Sequence, residues 1–328
     1  MSVPFQSVAV VGSGAIGIYY GMRLAFGGAD VKFLLRGDLA AVRRRGSLIL
    51  HLDGETRALQ PVAAFGSTRE IGPVDLALVT LKTTANATLP DLLPPLIGRE
   101  TILLTLQNGL GSDEFLAERF GAERVMGGLA FIANIRVGPG EVKCFHPGSL
   151  SLGRFGGGPT ERLRGLAWQF EASGVETRVA EHLEAARWQK LVWNIPFNGL
   201  SIAAGGVATD RICADPSLAA EARALMREVR AGAAALGHPI ADDFLDQQFA
   251  TTPPMGAYRP SSLVDFLAGR EIEVESIWGE PLRRAGAAGA ALPRLALLYS
   301  VLRGLNAGAR KSPKSRNERP SRESHLRA

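Results

Sequence analysis

The chain has 328 residues, of which 46% are hydrophobic and 21% are charged, and its formal net charge at pH 7 is +5. These values are typical of a soluble globular protein with its own core and room for two domains. The two cysteines, Cys144 and Cys213, match no metal-binding spacing, and no run reaches the ~18 apolar residues of a membrane span, so we expect a cytoplasmic protein without a disulfide framework or bound metal.

The positive charge is concentrated at the C-terminus. Residues 307–328 contain seven Lys/Arg and two Asp/Glu, and removing these from the totals of 37 and 32 leaves 30 residues of each sign in residues 1–306. The tail is rich in Pro, Ser and Arg and poor in large apolar residues, which predicts disorder. We interpret it as a solvated appendage rather than a nucleic-acid-binding arm, and we expect no nucleic-acid or membrane partner.

The first motif is VAVVGSGAIG, from Val8 to Gly17. A short apolar strand runs into Gly12, Gly14 and Gly17, and a helix follows, which is the arrangement that binds a dinucleotide. Gly12 permits a tight turn, Gly14 lets the backbone approach a pyrophosphate, and Gly17 lets the helix pack on the strand. The predicted cofactor contacts in this loop are Gly12, Ser13, Gly14, Ala15, Ile16 and Gly17.

The second strand is predicted at Val31 to Leu35, and its end is where the adenosine ribose of a cofactor would lie. An acidic residue there favours NAD, whereas an arginine can pair with the 2′-phosphate of NADP. The residue at this position is Arg36, so we expect NADP(H). Asp38 is the residue that argues for the opposite preference.

The next segments complete a parallel sheet. Residues 47–64 are predicted to form two short strands around the turn at Asp53-Gly54, and continuous apolar runs at 74–80 and 101–106 predict buried parallel strands. Lys82 and Asn108 lie just past the ends of these two strands, where ligands bind in doubly wound sheets. Both are therefore candidate cofactor or substrate residues.

Four further strands are predicted at 124–128, 129–137, 141–146 and 150–153, then a helix at 160–173 and a strand at 175–179. We place the end of an α/β Rossmann-type domain at residue 180. From 182 onward the apolar periodicity is helical, which predicts an all-α domain over residues 181–306.

The first helix of this second domain carries three polar residues on one face. Lys190, Asn194 and Asn198 are four residues apart, in an otherwise apolar segment. Burying such groups is costly unless they have partners, and Pro196 between the asparagines is expected to kink the helix. A polar face beside a kink indicates a ligand site.

Taken together, the motifs resemble the 2-dehydropantoate 2-reductases, also called ketopantoate reductases. The resemblance runs from about residue 8 to 305 and rests on GSGAIG, Leu-Arg after the second strand, VTLK (79–82), QNG (107–109), RWQKLVWN (187–194), Asn198, SSLVD (261–265) and GREIEVE (269–275). It implies a C-terminal domain like that of 6-phosphogluconate dehydrogenase, in addition to the Rossmann-type domain.

The resemblance also implies hydride transfer from NADPH to 2-dehydropantoate, giving (R)-pantoate in pantothenate biosynthesis. Lys190 would act as the acid and Glu273 would hold the substrate, with Glu273 paired to Arg270 as the alternative. The implied substrate residues are Asn108, Lys190, Asn194, Asn198, Ser261 and Glu273. We expect Lys190 to need no depressed pKa, because an ammonium can both stabilise the forming oxyanion and deliver its proton.

Three departures from the family pattern bear on the substrate. Ile272 precedes Glu273 in place of threonine, NGLSIA stands at 198–203 in place of NPLTAL, and Trp278 replaces an asparagine. Two alternatives therefore stay open: an NADPH-dependent reductase of another 2-oxo acid, and a non-catalytic NADP(H)-sensing protein. The sequence leaves the oligomeric state open, with a homodimer as the candidate assembly.

Overall fold

A ten-stranded sheet organises the first part of the chain, in a computed structural model that describes residues 4–311. Its strands are β1 (Ser7–Val11), β2 (Asp30–Leu34), β3 (Leu48–Leu52), β4 (Glu55–Leu59), β5 (Ala63–Phe65), β6 (Val74–Val79), β7 (Ile97–Thr105), β8 (Val125–Gly138), β9 (Glu141–Arg154) and β10 (Glu176–Val179). Their order is β4-β3-β9-β8-β7-β6-β1-β2-β5, and β10 pairs with β9. The pairs β3/β4 and β8/β9 are antiparallel, and every other pair is parallel.

The helices of both parts complete the architecture. They are α1 (Ala15–Phe26), α2 (Leu39–Arg45), α3 (Thr68–Ile71), α4 (Leu89–Leu92), α5 (Ser112–Phe120), α6 (Glu161–Ala172), α7 (Leu183–Ala203), α8 (Thr209–Ala214), α9 (Pro216–Ala235), α10 (Asp242–Ala250), α11 (Ser261–Leu267), α12 (Glu280–Ala287) and α13 (Pro293–Lys311). A π-helical turn, Glu275–Gly279, precedes α12. Within residues 4–311, no helix is both long enough and apolar enough to cross a bilayer.

The sheet curls around α1. This helix contacts β1, β2, β3, β4, β8 and β9, and its residues 17–22 are all buried. Tyr19 and Tyr20 lie side by side in the core with their rings edge to face, 5.0 Å apart. A helix that is apolar on all sides needs cover on all sides, and the curled half-barrel supplies it. The start of α1 is thereby fixed at the carboxyl ends of β1 and β6.

The second part of the chain packs around α7. Trp188, Leu191, Ile195 and Phe197 on this helix are buried against α9, α11 and α13. The helix continues through Pro196 to Ala203. Because α7 begins directly after β10, its first turns lie against the sheet, and its polar face meets the loop after β7 and the middle of β8.

Three predicted boundaries are wrong. The four strands expected between 124 and 153 are two long antiparallel strands, β8 and β9, whose register shifts at irregularities. Gly148, which the sequence indicates as a turn residue, has a φ of +55°, and an added Cβ would lie 1.6 Å from the carbonyl oxygen of Phe131, so the glycine belongs to such an irregularity.

The other two errors are a strand that was not predicted and a C-terminal tail whose start was placed too early. The three-residue β5 pairs with β2 and is too short for a periodic signal. The tail predicted from residue 307 begins too early, because α13 continues to Lys311. The rest of the predicted tail, residues 312–328, lies outside the described residues.

Candidate active site

The glycine loop is shaped by contacts between β1 and β6. Gly12 has a φ of +110°, and an added Cβ would lie 2.4 Å from the backbone nitrogen of Leu81. A Cβ on Gly17 would lie 2.3 Å from the carbonyl oxygen of Gly12 and 2.5 Å from Thr80 Oγ1. The Thr80 hydroxyl in turn donates to the Gly12 carbonyl at 2.6 Å. Only glycine fits at either position, so the loop is held in one conformation.

Gly14 differs from the other two glycines of the motif, Gly12 and Gly17. A Cβ there would meet no heavy atom of the described residues within 4 Å, so the backbone at the start of α1 is open to a ligand. The first amides of a helix lack intrahelical partners and favour an anion. Ser13 Oγ donates to the carbonyl of Leu34 at 2.9 Å, which ties the loop to the end of β2. This combination of an open glycine and free amides suits a pyrophosphate.

Arg36 and Asp38 follow β2 and have different surroundings. Arg36 is exposed, and its guanidinium has no hydrogen-bond or ion-pair partner in the part of the chain described here. The Asp38 carboxylate accepts hydrogen bonds from Arg136 Nη2, at 2.7 and 2.8 Å, and from the backbone N–H of Gly140, at 2.8 Å. Arg36 is therefore available to a ligand, whereas the carboxylate of Asp38 is already hydrogen-bonded to β8 and to the turn after it.

Lys190 reaches from α7 to the loop that follows β7 and to the middle of β8. Its Nζ donates to Asn108 Oδ1 and to the carbonyl of Ala130, both at 2.9 Å. The ring centroid of Phe131 lies 5.2 Å from the same nitrogen. An ammonium has three donors, so two fixed acceptors leave one N–H for a third group.

Burial shifts the ionisation of Lys190. The pKa is lowered from 10.5 to about 7, mainly by burial and also by the Arg187 guanidinium, while the Glu273 carboxylate acts in the opposite direction. The proposed role as acid does not require this shift in pKa, and the sequence did not predict it. Its cause is the apolar packing at the junction of α7 with the sheet, where the ammonium loses most of its water. A lysine with a pKa near neutrality can exchange its proton readily during a reaction.

Arg187 is a functional neighbour that sequence reasoning missed. It is 4% exposed and pairs with Asp113 at the start of α5, with Nη2 2.7 Å from Oδ1. Its other terminal nitrogen donates to the carbonyl of Gln107 at 3.1 Å. This buried pair fixes the 107–109 loop, and with it Asn108, against α7. The arginine in RWQK was the available signal, but nothing in the sequence indicated its partner.

The two asparagines of α7 have different environments. Asn194 lines a small cavity together with Asn108 and Lys190, and its side chain has no hydrogen-bond partner among residues 4–311. Asn198 is 2% exposed, and its Oδ1 accepts from the backbone N–H of Ser262 at 3.0 Å. Asn194 is thus free to bind a ligand, while Asn198 holds the first turn of α11.

Glu273 and Lys82 meet at the other side of the cleft. Glu273 is 4% exposed, and its carboxylate accepts from the backbone N–H of Thr83 at 2.8 Å and from Lys82 Nζ at 3.3 Å. Lys82 Nζ also lies 2.7 Å from Asp265 Oδ2. Burial alone would lower the pKa of Lys82, but Glu273 and Asp265 outweigh it and hold that pKa above its ordinary value.

The structure excludes the predicted alternative pair of Glu273 with Arg270, and it adds Asp265 to the residues of the site. Arg270 pairs with Asp265, at 2.9 and 3.0 Å, and not with Glu273. Asp265 closes the SSLVD motif but was not among the predicted site residues. Ser261, which was, is exposed at the start of α11 and has no described contact to Lys190 or Glu273.

Two of the three departures from the family pattern lie together in the helical core. Trp278 is fully buried, and its indole N–H donates to the carbonyl of Ile195 at 3.0 Å. A Cβ on Gly199 would lie 3.0 Å from the same indole nitrogen. Gly199 therefore makes room for the Trp278 side chain, which lies in the helical core rather than in the cleft. Ile272 is also buried, at 1% exposure.

The site thus contains an open glycine loop and a lysine of lowered pKa between two acceptors. It also contains an arginine after β2 that has no partner among residues 4–311. Asn108, Asn194 and Lys190 lie together, as do Lys82 and Glu273. Such a cleft can bind a dinucleotide along the sheet and present a proton donor to a carbonyl beside it.

Comparison with known proteins gives consistent matches. Residues 8–157 match the family model "Ketopantoate reductase PanE/ApbA", and residues 182–306 match its C-terminal counterpart. A 2-dehydropantoate 2-reductase from Nostoc sp. is 38% identical over 306 residues, covering 92% of this chain and 95% of the relative.

Solved structures are similar over almost the whole fold. A 2-dehydropantoate 2-reductase from Geobacter metallireducens is 42% identical, with a TM-score of 0.88, and covers 91% of this chain and 99% of its own. Another from Methylococcus capsulatus is 35% identical, with a TM-score of 0.86, and covers 94% and 99%. A D-mandelate dehydrogenase solved with NADH shares the fold at 20% identity, with a TM-score of 0.84 and coverage of 93% and 99%.

Proposed function

The chain belongs to the ketopantoate reductase family, and on that premise we propose that it reduces 2-dehydropantoate to (R)-pantoate with NADPH, as a step of pantothenate biosynthesis. The observation that carries the proposal is the position of Lys190 Nζ, 2.9 Å from both Asn108 Oδ1 and the Ala130 carbonyl. The lysine lies in the cleft between sheet and helical domain, which is where a reductase needs its acid.

The chain's residues fit the cofactor. The open backbone at Gly14 and the amides that begin α1 suit a pyrophosphate, and the unpaired Arg36 suits a 2′-phosphate. The bound cofactor supplies a hydride to the keto carbon. A nicotinamide dinucleotide follows from the family, and the preference for NADP(H) is the finer part of our proposal.

Lys190 is assigned the proton transfer. As the ketone is reduced, negative charge develops on its oxygen, and the third N–H of the ammonium stabilises that oxygen and then delivers the proton. Asn108 and the Ala130 carbonyl hold the nitrogen in place. Because its pKa is about 7, the lysine can regain its proton from solvent between turnovers near neutral pH.

The substrate is held by groups on both sides of the cleft. The free amide of Asn194 can bind the oxo-acid carboxylate or carbonyl, and Lys82 contributes positive charge. Glu273 accepts from the substrate hydroxyl, since each carboxylate oxygen can take a second hydrogen bond beyond those from Lys82 and Thr83. Asn198 acts indirectly by holding α11, and we keep Ser261 at the start of α11 as a proposed substrate contact.

The test is the initial rate of NADPH oxidation by the purified protein with a panel of oxo acids. 2-Dehydropantoate is compared with 3,3-dimethyl-2-oxobutanoate, which lacks only the hydroxyl. A site built to bind a hydroxyl rejects the analogue, so we expect kcat/KM to favour 2-dehydropantoate by at least ~100-fold, and Glu273→Gln to remove most of that ratio.

The other outcomes separate the alternatives. A higher kcat/KM for a different oxo acid would assign the chain to another substrate on the same scaffold. Tight NADPH binding without turnover of any oxo acid would indicate a sensing protein. The homodimer stays a prediction, which sedimentation of the purified protein tests.

A further inference from the structure

The segment after β2 contains an acidic residue near the position where the 2′-phosphate of NADP would lie. A negative charge there opposes NADP binding. Asp38 lies two residues beyond Arg36 and directly precedes α2. A free carboxylate near the ribose accepts hydrogen bonds from its hydroxyls and repels a 2′-phosphate, and it is the usual sign of an NAD-binding chain. The sequence alone therefore gives two opposite signals about the cofactor, only two positions apart.

The structure gives the two residues different partners. Asp38 is 14% exposed in its side chain, and its oxygens accept from Arg136 Nη2 and from the backbone N–H of Gly140. Arg136 is half-exposed, and its Nε and Nη1 have no acceptor within the described range 4–311. Among residues 4–311, Arg36 has no such carboxylate partner. The negative charge beside the ribose position is thus neutralised by a residue of a distant strand.

Three further contacts hold the end of the β8–β9 hairpin in place. Asn134, two residues before Arg136, donates to the carbonyl of Ala15 at the start of α1, at 3.0 Å. Arg45 of α2 donates to the carbonyls of Pro139 and Gly140, each at 3.0 Å. The end of the β8–β9 hairpin therefore lies against the first residue of α1 and the last residue of α2, which fixes where Arg136 can reach.

We propose that Arg136 is a specificity-determining residue, which neutralises Asp38 so that Arg36 can select a 2′-phosphorylated adenosine. Arg136 is a positioning residue in this role, because it acts through Asp38 and not through a bond to the phosphate. The inference rests on the proposed NADPH preference. Without Arg136, the same chain would present a free carboxylate at the ribose and discriminate much less between the two cofactors.

The experiment measures binding rather than turnover. Calorimetry at low salt gives the affinities for adenosine 2′,5′-bisphosphate and adenosine 5′-monophosphate, and their ratio is the preference for the 2′-phosphate. We expect Arg136→Ala to lower this ratio about tenfold, the effect of one charged interaction, and Arg136→Lys to lower it less. Added salt should shrink the effect, since screening weakens the repulsion from the exposed carboxylate.

A double substitution separates action through Asp38 from direct contact. If Arg136 acts through Asp38, Asp38→Asn together with Arg136→Ala restores the ratio to within about threefold of the parent, because the uncovered charge is gone. Arg44→Ala is the matched control, since it removes an exposed arginine of α2 that does not contact Asp38. It should leave the ratio unchanged. Thermal melting of each variant verifies that it is folded.

The failures are distinguishable. A parent protein with no preference for the 2′-phosphate would contradict the proposed cofactor and not the role of Arg136 alone. A parent with a clear preference that survives Arg136→Ala would overturn the inference. A loss that persists in the double variant, or an equal loss in Arg44→Ala, would also overturn it, because the first indicates direct contact and the second a general effect of positive charge.

Discussion

The lowered pKa of Lys190 makes the reaction depend on pH in a way that an ordinary lysine would not. The ammonium is the form that donates, and it predominates below a pKa of about 7. At about pH 9, two units higher, roughly one lysine in a hundred carries the proton. We therefore expect kcat/KM for oxo-acid reduction to fall about tenfold per pH unit above neutrality, whereas a lysine with a pKa of 10.5 would give a flat profile over this range.

The assay is the initial rate of NADPH oxidation as a function of pH, analysed as kcat/KM, which reports the ionisation of the free enzyme. The reverse reaction provides a second measurement with the opposite sign. Oxidation of pantoate needs the neutral amine as base, so its rate should rise through the same pKa. A change in the ionisation of the cofactor or substrate alone would not make the forward rate fall and the reverse rate rise through the same pKa.

Two variants complete the test. Lys190→Met removes the donor and should lower kcat by ~10²–10⁴ and abolish the limb at the pKa of the lysine. Lys143→Met is the control, because Lys143 is an exposed lysine on β9. A profile that stays flat to about pH 9 in the parent would refute the argument from burial. A kcat within about threefold of the parent in Lys190→Met would refute the assignment of the acid itself.

Four further outcomes follow from the structure. Arg36→Ala should reduce the preference for NADPH over NADH by about ten- to a hundredfold in binding titrations, and equal parent affinities for the two cofactors would contradict this. Gly14→Ala should weaken NADPH binding without lowering Tm, whereas Gly12→Ala should lower Tm, because only the second added Cβ meets protein backbone. Arg187→Ala should lower the free energy of unfolding by about 3–5 kcal/mol in urea titrations, since it leaves a buried carboxylate unpaired; a change below about 1 kcal/mol would mean that water replaces the arginine. Truncation after α13, removing residues 312–328, should leave kcat and Tm nearly unchanged, and a large loss of activity would contradict the interpretation of the tail as a solvated appendage.

The sequence predicted those parts of the site that depend on local patterns. The glycine spacing defined the strand–turn–helix unit, and the helical spacing of Lys190 and Asn194 placed both on one face. The motifs taken together identified the family, which the comparisons confirm. Each single motif is local in the chain, so periodicity and turn chemistry are sufficient to interpret it.

The parts that could not be predicted are pairings between distant residues. Arg187 meets Asp113, Lys82 meets Asp265, and Arg136 meets Asp38 only because the sheet curls and α7 packs across its edge. The pKa of Lys190 belongs to the same class, because it depends on how much water that packing removes. Gly and Pro near residue 147 misled the strand prediction, since an irregularity inside a long strand uses the same residues as a turn.

The position of β3 and β4 in the sheet has a consequence for how the chain folds. Ile49 pairs with Glu141, so the hairpin made early in the chain finds its neighbouring strand only after β9 exists. As the ribosome releases the polypeptide from its N-terminus, this hairpin and one side of α1 stay uncovered until β8 and β9 have emerged. Sheets closed by such long-range pairs assemble slowly, and their uncovered edges are the places where a nascent chain is most exposed to aggregation and to chaperones.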